Sequence, residues 1–438
     1  MLVPAIFALL LVGLLSGFPV AFFFASFGLF LGLSFWGPHS VHILVQSFFN
    51  TMNSWLLVAI PLFVFMAAIL ERSGVAESLF SSLHKLFGRA RGGLGIVIVI
   101  MCVMLGACTG VIGATLLTAA LIGLPNLLKQ GYDKDLSCGI VAAGGCLGTI
   151  VPPSIMLVVM GQVVGLSVGK LFMGALFPGL LLASLYIVYI VIKSMLQPAS
   201  VGYASPVESG RREPLTVRLV LSAAGGIIPP AFLIVAVLGS IYGGLATATE
   251  AAGVGALFAV LLSIAYKRFG MRMLHDACSD TAFTTSMTLM IIASVTVFTT
   301  VFVGIGGQDV AQAFLLTLGI GKWGLFSLMC LIIFVLGMFM DWPPIVLLTF
   351  PIFLPVVGEL GIDQLWFVIA IAVLLQTSYM TPPFGFALFM LRGVAPEGVA
   401  MENVYRGIIP FLVLIAVAVV LLALFPQIIT WLPNTMIR

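Results

Sequence analysis

Charge is what this sequence has least of. Of 438 residues only 8% are charged, while 62% are hydrophobic, against about 25% charged in an ordinary soluble domain. No charged residue occurs before Glu71, and charge-free stretches run over 92–128, 136–169, 171–192, 219–249, 251–266, 281–308, 323–340, 342–358, 364–391 and 407–437. A helix needs about 20 apolar residues to cross the hydrocarbon core of a bilayer, and most of these stretches reach or approach that length. A water-facing surface is therefore excluded, and with it soluble enzymes, nucleic-acid binders and secreted disulfide scaffolds. The six cysteines (102, 108, 138, 146, 278 and 330) contain no CxxC pair and lie mostly in apolar stretches, as small packing residues do. There is no GxxxxGK[ST] loop for ATP and no HExxH metal pair. The N-terminus lacks the basic region of a cleavable signal, so the membrane segments themselves are expected to direct insertion. The chain reads as an all-α polytopic membrane protein.

The few charges orient it. Basic residues fall in five groups: Arg72, Lys85, Arg89 and Arg91; Lys129 and Lys134; Lys193, Arg211, Arg212 and Arg218; Lys267, Arg268 and Arg272; Arg392 and Arg406. Placing these groups in the cytoplasm puts 15 of 18 basic residues inside and leaves Lys170, Lys322 and Arg438 outside, as the positive-inside rule asks. The polar segment 197–216, rich in Pro, Ser and Gly, reads as a cytoplasmic linker near the middle of the chain.

A repeat spans the linker at an offset of about 230 residues. Leu124-Pro125 matches Leu354-Pro355, Gly131-Tyr132-Asp133 matches Gly361-Ile362-Asp363, and Pro152-Pro153 matches Pro382-Pro383; Gly106 pairs with Gly337 and Pro178 with Pro410. The loop at 129–135 carries basic residues whereas its counterpart at 359–363 carries none, so the two halves are inverted. Inverted repeats with a midplane site between the halves are a secondary-transporter architecture.

Each half reads alike. Helices are predicted over 18–36 and 55–71 in the first half and over 219–243, 247–266 and 281–303 in the second; 2–15 is too short for an upright span. Amphipathic pieces follow at 76–88 (Leu79, Phe80, Leu83, Leu86, Phe87) and 309–318 (Val310, Phe314, Leu318), predicted to lie along the membrane surface. Next come 94–128 and 323–358, broken at Gly106–Gly110 and Gly337–Pro344, which read as re-entrant hairpins. Last, 136–167 and 364–393 are crossings broken by Pro-Pro, which removes a donor and disfavours helix before it. Unwound backbone at membrane depth survives only where protein or a wet cavity satisfies it. Four interruptions paired by symmetry therefore mark the site.

Carbonyls and hydroxyls at these breaks can hold a sodium-like cation. The candidates are Gly106 and Thr109 facing Gly148 and Thr149, and Gly337 and Asp341 facing Ser378 and Thr381. Asp341 is the only acid deep in an apolar stretch; its alternative role is to cap the helix after it. For a carboxylate substrate the candidates are Thr109, Ser154 at a half-helix N-terminus, Gln376 and Thr381. Gln162 and Gln376 are open between site roles and helix–helix bonding, and Glu250 reads as a helix cap. Gly165–Gly169 (GxSxG) and Gly319–Gly324 (GxGxxG) lack the strand contexts those motifs need. An intramembrane enzyme would require paired acids, a His–nucleophile pair or metal ligands at one depth, and the sequence offers none.

Gly17-Phe18-Pro19-Val20-Ala21, the hairpin tip Gly106–Gly110, Gly148-Thr149-Ile150-Val151-Pro152-Pro153-Ser154, Thr249-Glu250-Ala251-Ala252 and Thr381-Pro382-Pro383 occur in an order that resembles the large membrane subunit of tripartite ATP-independent periplasmic (TRAP) transporters over essentially the whole chain. One departure is the tip Cys108-Thr109-Gly110-Val111, where many members carry a Ser-Gly-Ser-like sequence. The resemblance implies a sodium-driven secondary transporter of an organic acid in a bacterial or archaeal inner membrane, with the elevator-type fold of the ion-transporter superfamily and sodium as coupling ion rather than any cofactor. It implies two partners, a small four-helix membrane subunit and a periplasmic solute-binding protein. It also implies a division into scaffold (1–93 and 217–320) and transport elements (94–196 and 321–438) joined by the linker 197–216. The alternative is a proton-coupled or binding-protein-independent organic anion transporter.

Overall fold

The computed structural model describes residues 6, 9, 10, 12, 13, 16–88, 90, 92–201 and 217–436, with 217–222 as backbone alone. Most of the short segment 2–15, most of the linker 197–216, and Arg89, Arg91, Arg211, Arg212 and Arg438 lie outside the described residues. Among the described residues nine helices are long and apolar enough to cross a membrane, and the only β-type pairing is a single bridge between Tyr132 and Val201.

The first half begins with α1 (Val20–Trp36) and α2 (Ser40–Met52), separated by a turn at Gly37, whose φ of +66° suits glycine. The sequence pattern left 37–54 unassigned; the Gly37-Pro38 turn ends one helix and starts the next. Then come α3 (Ala59–Arg72) and the amphipathic α4 (Val75–Phe87). The first hairpin comprises α5 (Gly93–Thr109) and α6 (Ile112–Thr118), which continues through a π-helical turn into α7 (Leu124–Lys129). The broken crossing is α8 (Lys134–Cys146) and α9 (Ile155–Val164), and the long α10 (Val168–Leu196) ends the half.

The second half repeats the order. α11 (Val217–Tyr242), α12 (Ala248–Ala265) and α13 (Met271–Gly304) precede α14 (Gly307–Thr317). The second hairpin is α15 (Gly321–Gly337) and α16 (Trp342–Glu359); the broken crossing is α17 (Gln364–Leu374), α18 (Gln376–Met380) and α19 (Phe386–Val394), followed by α20 (Met401–Leu424) and α21 (Gln427–Asn434). Only α13 departs greatly in length from expectation. It starts ten residues before 281, because its polar first turns (Arg272, His275, Asp276, Asp280) remain helical in exposed surroundings.

Small residues let the early helices of both halves interlock. Gly28 of α1 meets the Phe298 backbone of α13, and a Cβ there would lie 2.9 Å from Phe298 Cα. Phe24 and Phe27 pack on Phe298 at 5.4 and 5.6 Å. Ser47 of α2 and Thr300 of α13 share a 2.8 Å hydroxyl contact. α12 starts with a complete capping box: Thr247 Oγ1 accepts from Glu250 N–H, and the Glu250 carboxylate accepts from Thr247 N–H at 2.8 Å. Glu250 is thus the cap the sequence predicted.

The two amphipathic helices differ. α4 buries Val75, Ala76, Leu79, Ser82 and Leu83 while Phe87 stays exposed, so its inner face is rotated towards α11, where Gly226 admits Ser78 and Ser82. α14 turns its stripe of Val310, Phe314 and Leu318 away from the protein and buries Leu315, as a helix seated in a bilayer surface would. The core lies elsewhere. Every residue of α8 from Leu136 to Cys146, and of α17 from Trp366 to Leu374, is buried, so the broken crossings form the centre and the hairpins close on them.

Candidate functional site

Each hairpin tip meets the broken crossing of its own half through backbone. α5 ends at Gly110, whose φ of +64° allows its N–H to donate to Gly106 O at 2.7 Å. A Cβ on Gly106 would sit 2.2 Å from Gly148 Cα, and one on Gly110 2.6 Å from Pro153 O. In the second half a Cβ on Gly337 would lie 2.9 Å from Ser378 Cβ, and Phe384 N–H donates to Met338 O at 2.9 Å. Both Pro-Pro bonds, 152–153 and 382–383, are cis. The symmetry read from sequence spacing is therefore a symmetry of contact.

Hydroxyls crowd this centre and spend their protons on carbonyls. Thr149 Oγ1 lies 2.9 Å from Cys146 O; Thr377, Ser378 and Thr381 donate to Leu374 O, Leu375 O and Thr377 O at 2.8, 2.7 and 2.7 Å. Ser154 Oγ turns back to donate to Thr149 O. Thr109 Oγ1 is 3.0 Å from Thr115 Oγ1, which contacts Val111 O at 3.3 Å. A hydroxyl whose proton is committed to a carbonyl presents lone pairs in its remaining directions, which is the chemistry a hard cation needs. Ser154 occupies the N-cap position of α9 without a side-chain cap bond, so the polar N–H groups of that first turn receive nothing from it.

Asp341 does what its alternative reading anticipated: its Oδ1 accepts Trp342 N–H at 2.8 Å and caps α16. The cap uses one carboxylate oxygen. Gln376 is wholly buried and joins the halves: its Oε1 lies 2.8 Å from Thr149 Oγ1, and its Nε2 donates to Ala372 O at 3.1 Å. Gln162 instead accepts from Ser54 Oγ at 2.7 Å, a bond between the broken crossing and the turn preceding α3. The two rejected motifs each straddle a turn and the start of a helix: Gly165 is the left-handed C-cap of α9, and of the positive-φ glycines Gly319 precedes α15 and Gly321 opens it. Among the described residues no group of three or more His, Cys, Asp or Glu could hold a metal, and all six cysteines are free.

Two features were not singled out from sequence. Tyr379 is buried, and its hydroxyl lies beside Thr149 and within electrostatic reach of Asp341 without a well-formed hydrogen bond; a phenol in an apolar stretch looks like a packing residue until its surroundings are known. The second is a cavity of about 360 Å³ that reaches the first hairpin tip at Val111 and Gly113, between Glu71 of α3 and Asp280 and Phe283 of α13. Asp280 pairs there with Arg72. The signal in the sequence was Glu71, the first charge in the chain.

Fold and site together define a polytopic membrane permease built from paired hairpins and broken helices. The transporter YdaH of Alcanivorax borkumensis shares the fold, with a TM-score of 0.64 at 15% identity over 95% of this chain and 98% of that one. MtrF of Neisseria gonorrhoeae gives 0.57 at 16% identity, over 90% and 85%. The family model described as "Tripartite ATP-independent periplasmic transporter, DctM component" matches residues 7–428, and the chain belongs to this family. Relatives include the C4-dicarboxylate TRAP large permease of Pseudomonas aeruginosa, 30% identical with 92% of each chain covered. The 2,3-diketo-L-gulonate TRAP large permease of Escherichia coli is 28% identical with 96% of each covered. The sialic acid TRAP permease of Haemophilus influenzae is 27% identical over 96% of this chain and 66% of its own length. The chain is thus a TRAP large permease subunit, a multi-pass integral protein of the inner membrane, and not an enzyme.

Proposed function

We propose that this permease uses a sodium gradient to import a carboxylate handed over by a periplasmic solute-binding protein, in complex with a small four-helix membrane subunit. The relatives' names, C4-dicarboxylate, 2,3-diketo-L-gulonate and sialic acid, support the substrate class. The observation that carries the coupling is the pair of hairpin tips pressed backbone-to-backbone on broken helices whose hydroxyl protons are already committed to carbonyls. Gly106, Thr109, Gly148 and Thr149 in one half, and Gly337, Asp341, Ser378 and Thr381 in the other, supply the cation's oxygens. Ser154, with Thr109, Gln376 and Thr381, lies on the substrate side, where the N–H groups starting α9 favour a carboxylate. Two cations entering with a monoanion carry one net charge, worth about 2.3 kcal/mol per 100 mV of membrane potential.

In this reading 94–196 and 321–438 move as one body past the scaffold of 1–93 and 217–320, with 197–216 as tether. Interlocking of α1 with α13 and of α3 with α12 on one side, and burial of α8 and α17 on the other, supports two bodies of this composition. The test is reconstitution of the three-component complex in liposomes, with labelled C4-dicarboxylate, diketogulonate and sialic acid offered in turn. An inward sodium gradient is expected to drive uptake of one of them. Uptake indifferent to sodium refutes the coupling, and uptake driven by a proton gradient alone selects the proton-coupled alternative.

A further inference from the structure

Away from the candidate site, a groove of about 440 Å³ runs between α15 and α20. Its walls are Trp323, Phe326 and Cys330 on α15 and Val420 and Leu424 on α20, with Leu374 of α17 at its floor. The stretch it follows on α20, from Ala416 to Leu424, is about 12 Å long at 1.5 Å per residue. That is under half of the ~30 Å hydrocarbon core, so the occupant enters from one leaflet, and a spanning partner helix would overhang the floor.

The mouth carries a particular set of charges. Lys322 Nζ stands 5.9 Å from the Trp323 ring centre and donates to Gly361 O at 3.3 Å. Among the described residues it forms no ion pair. Glu359 and Asp363 flank Gly361 in the chain. Asp363 caps Trp366 N–H at 2.7 Å, and the Trp366 ring packs 6.1 Å from Trp323. One ammonium bonded to a carbonyl that has a carboxylate residue two positions away on either side matches a zwitterion better than a simple anion. Trp323, 51% exposed, is the residue type that seats itself at a headgroup boundary.

We propose that this groove binds one acyl chain of a phosphoethanolamine lipid. The phosphate lies against Lys322, the primary ammonium of the headgroup lies towards Glu359 and Asp363, and the chain descends past Trp323 to Leu374. The site does not depend on the transport reading. Because both walls belong to the elements assigned to the moving body, the lipid would travel with them.

The test places the complete complex in nanodiscs containing lipids brominated near the top of the acyl chain, which quench nearby tryptophan. The Trp323 contribution is the quenching lost in Trp323→Phe. Brominated phosphatidylethanolamine is expected to quench this component at about two- to five-fold lower mole fraction than brominated phosphatidylcholine, whose methylated nitrogen has no N–H to donate; that range is what exposed ion pairs supply. Glu359→Gln combined with Asp363→Asn, which still caps Trp366 N–H, should abolish the preference while leaving quenching in place, whereas Lys322→Gln should weaken quenching by both lipids alike. Ala423→Phe, which fills the groove, should remove Trp323 quenching by every lipid. Equal quenching by the two lipids, a preference that survives loss of both carboxylates, or a Trp323 shielded from all lipid by another subunit would each overturn the proposal.

Discussion

Replacing Gly106 by alanine adds one methyl group at the place where the first hairpin leans on the first broken crossing. The new Cβ would lie 2.2 Å from Gly148 Cα and 3.0 Å from Gly148 N. Carbon atoms sit comfortably at about 3.5–4.0 Å, so hairpin and crossing must part by more than 1 Å (roughly, by that spacing). Both obstacles are backbone, and no side-chain rotation relieves them. Overpacking of this kind costs about 1–3 kcal/mol, which is about 5- to 150-fold if it falls on the cation-binding equilibrium. Gly113 provides the control: it lies on the same hairpin, and a Cβ there meets nothing within 4 Å. Both variants would be reconstituted, and sodium dependence of uptake and thermal unfolding measured. Gly106→Ala is expected to raise the sodium concentration for half-maximal uptake by at least about 5-fold and to lower the melting temperature, with Gly113→Ala close to wild type. Indistinguishable behaviour of the two variants would refute the claim that close backbone contact at Gly148 shapes the site.

Asp341→Asn keeps an acceptor for Trp342 N–H, since asparagine also caps helices well, but removes the charge. Sodium-driven uptake should collapse with little change in melting temperature, and normal sodium dependence would reduce Asp341 to a cap. The Thr149–Gln376 bond joins the two halves at 2.8 Å. Thr149→Val and Gln376→Leu should each destabilise by about 1–3 kcal/mol, and the double variant by clearly less than their sum in an unfolding cycle; additivity would mean the bond carries no coupling between halves. Tyr379→Phe removes a buried hydroxyl that lacks a well-formed hydrogen bond, so the ligand-free protein should be more stable by about 1 kcal/mol. If the hydroxyl is used when the site is loaded, the rise in melting temperature on adding sodium should shrink, and an unchanged rise confines Tyr379 to packing.

The sequence by itself determined the solvent of this protein, most of its apolar helices, the internal repeat and the positions of the four interruptions. These depend on local properties: scarcity of charge, length of apolar runs, and the inability of Pro-Pro and a left-handed glycine to continue a helix. Glu250 was legible for the same reason, because Thr247 and Glu250 of a capping box lie three residues apart. Only the tertiary structure decided what meets across the chain. It buried Leu79 and Leu83 of α4 while leaving Phe87 of the same predicted apolar face exposed, set Gly106 against Gly148 and Gly337 against Ser378, and sent Gln376 to Thr149 but Gln162 to Ser54. It also left the Tyr379 hydroxyl without a well-formed hydrogen bond. In a sequence this apolar, hydrophobic periodicity hardly distinguishes one helix face from another, because lipid and protein interior are both apolar. Which polar atom is paired, and with what, is therefore settled by packing between segments far apart in the chain, 108 residues for Ser54 and Gln162 and 227 for Thr149 and Gln376.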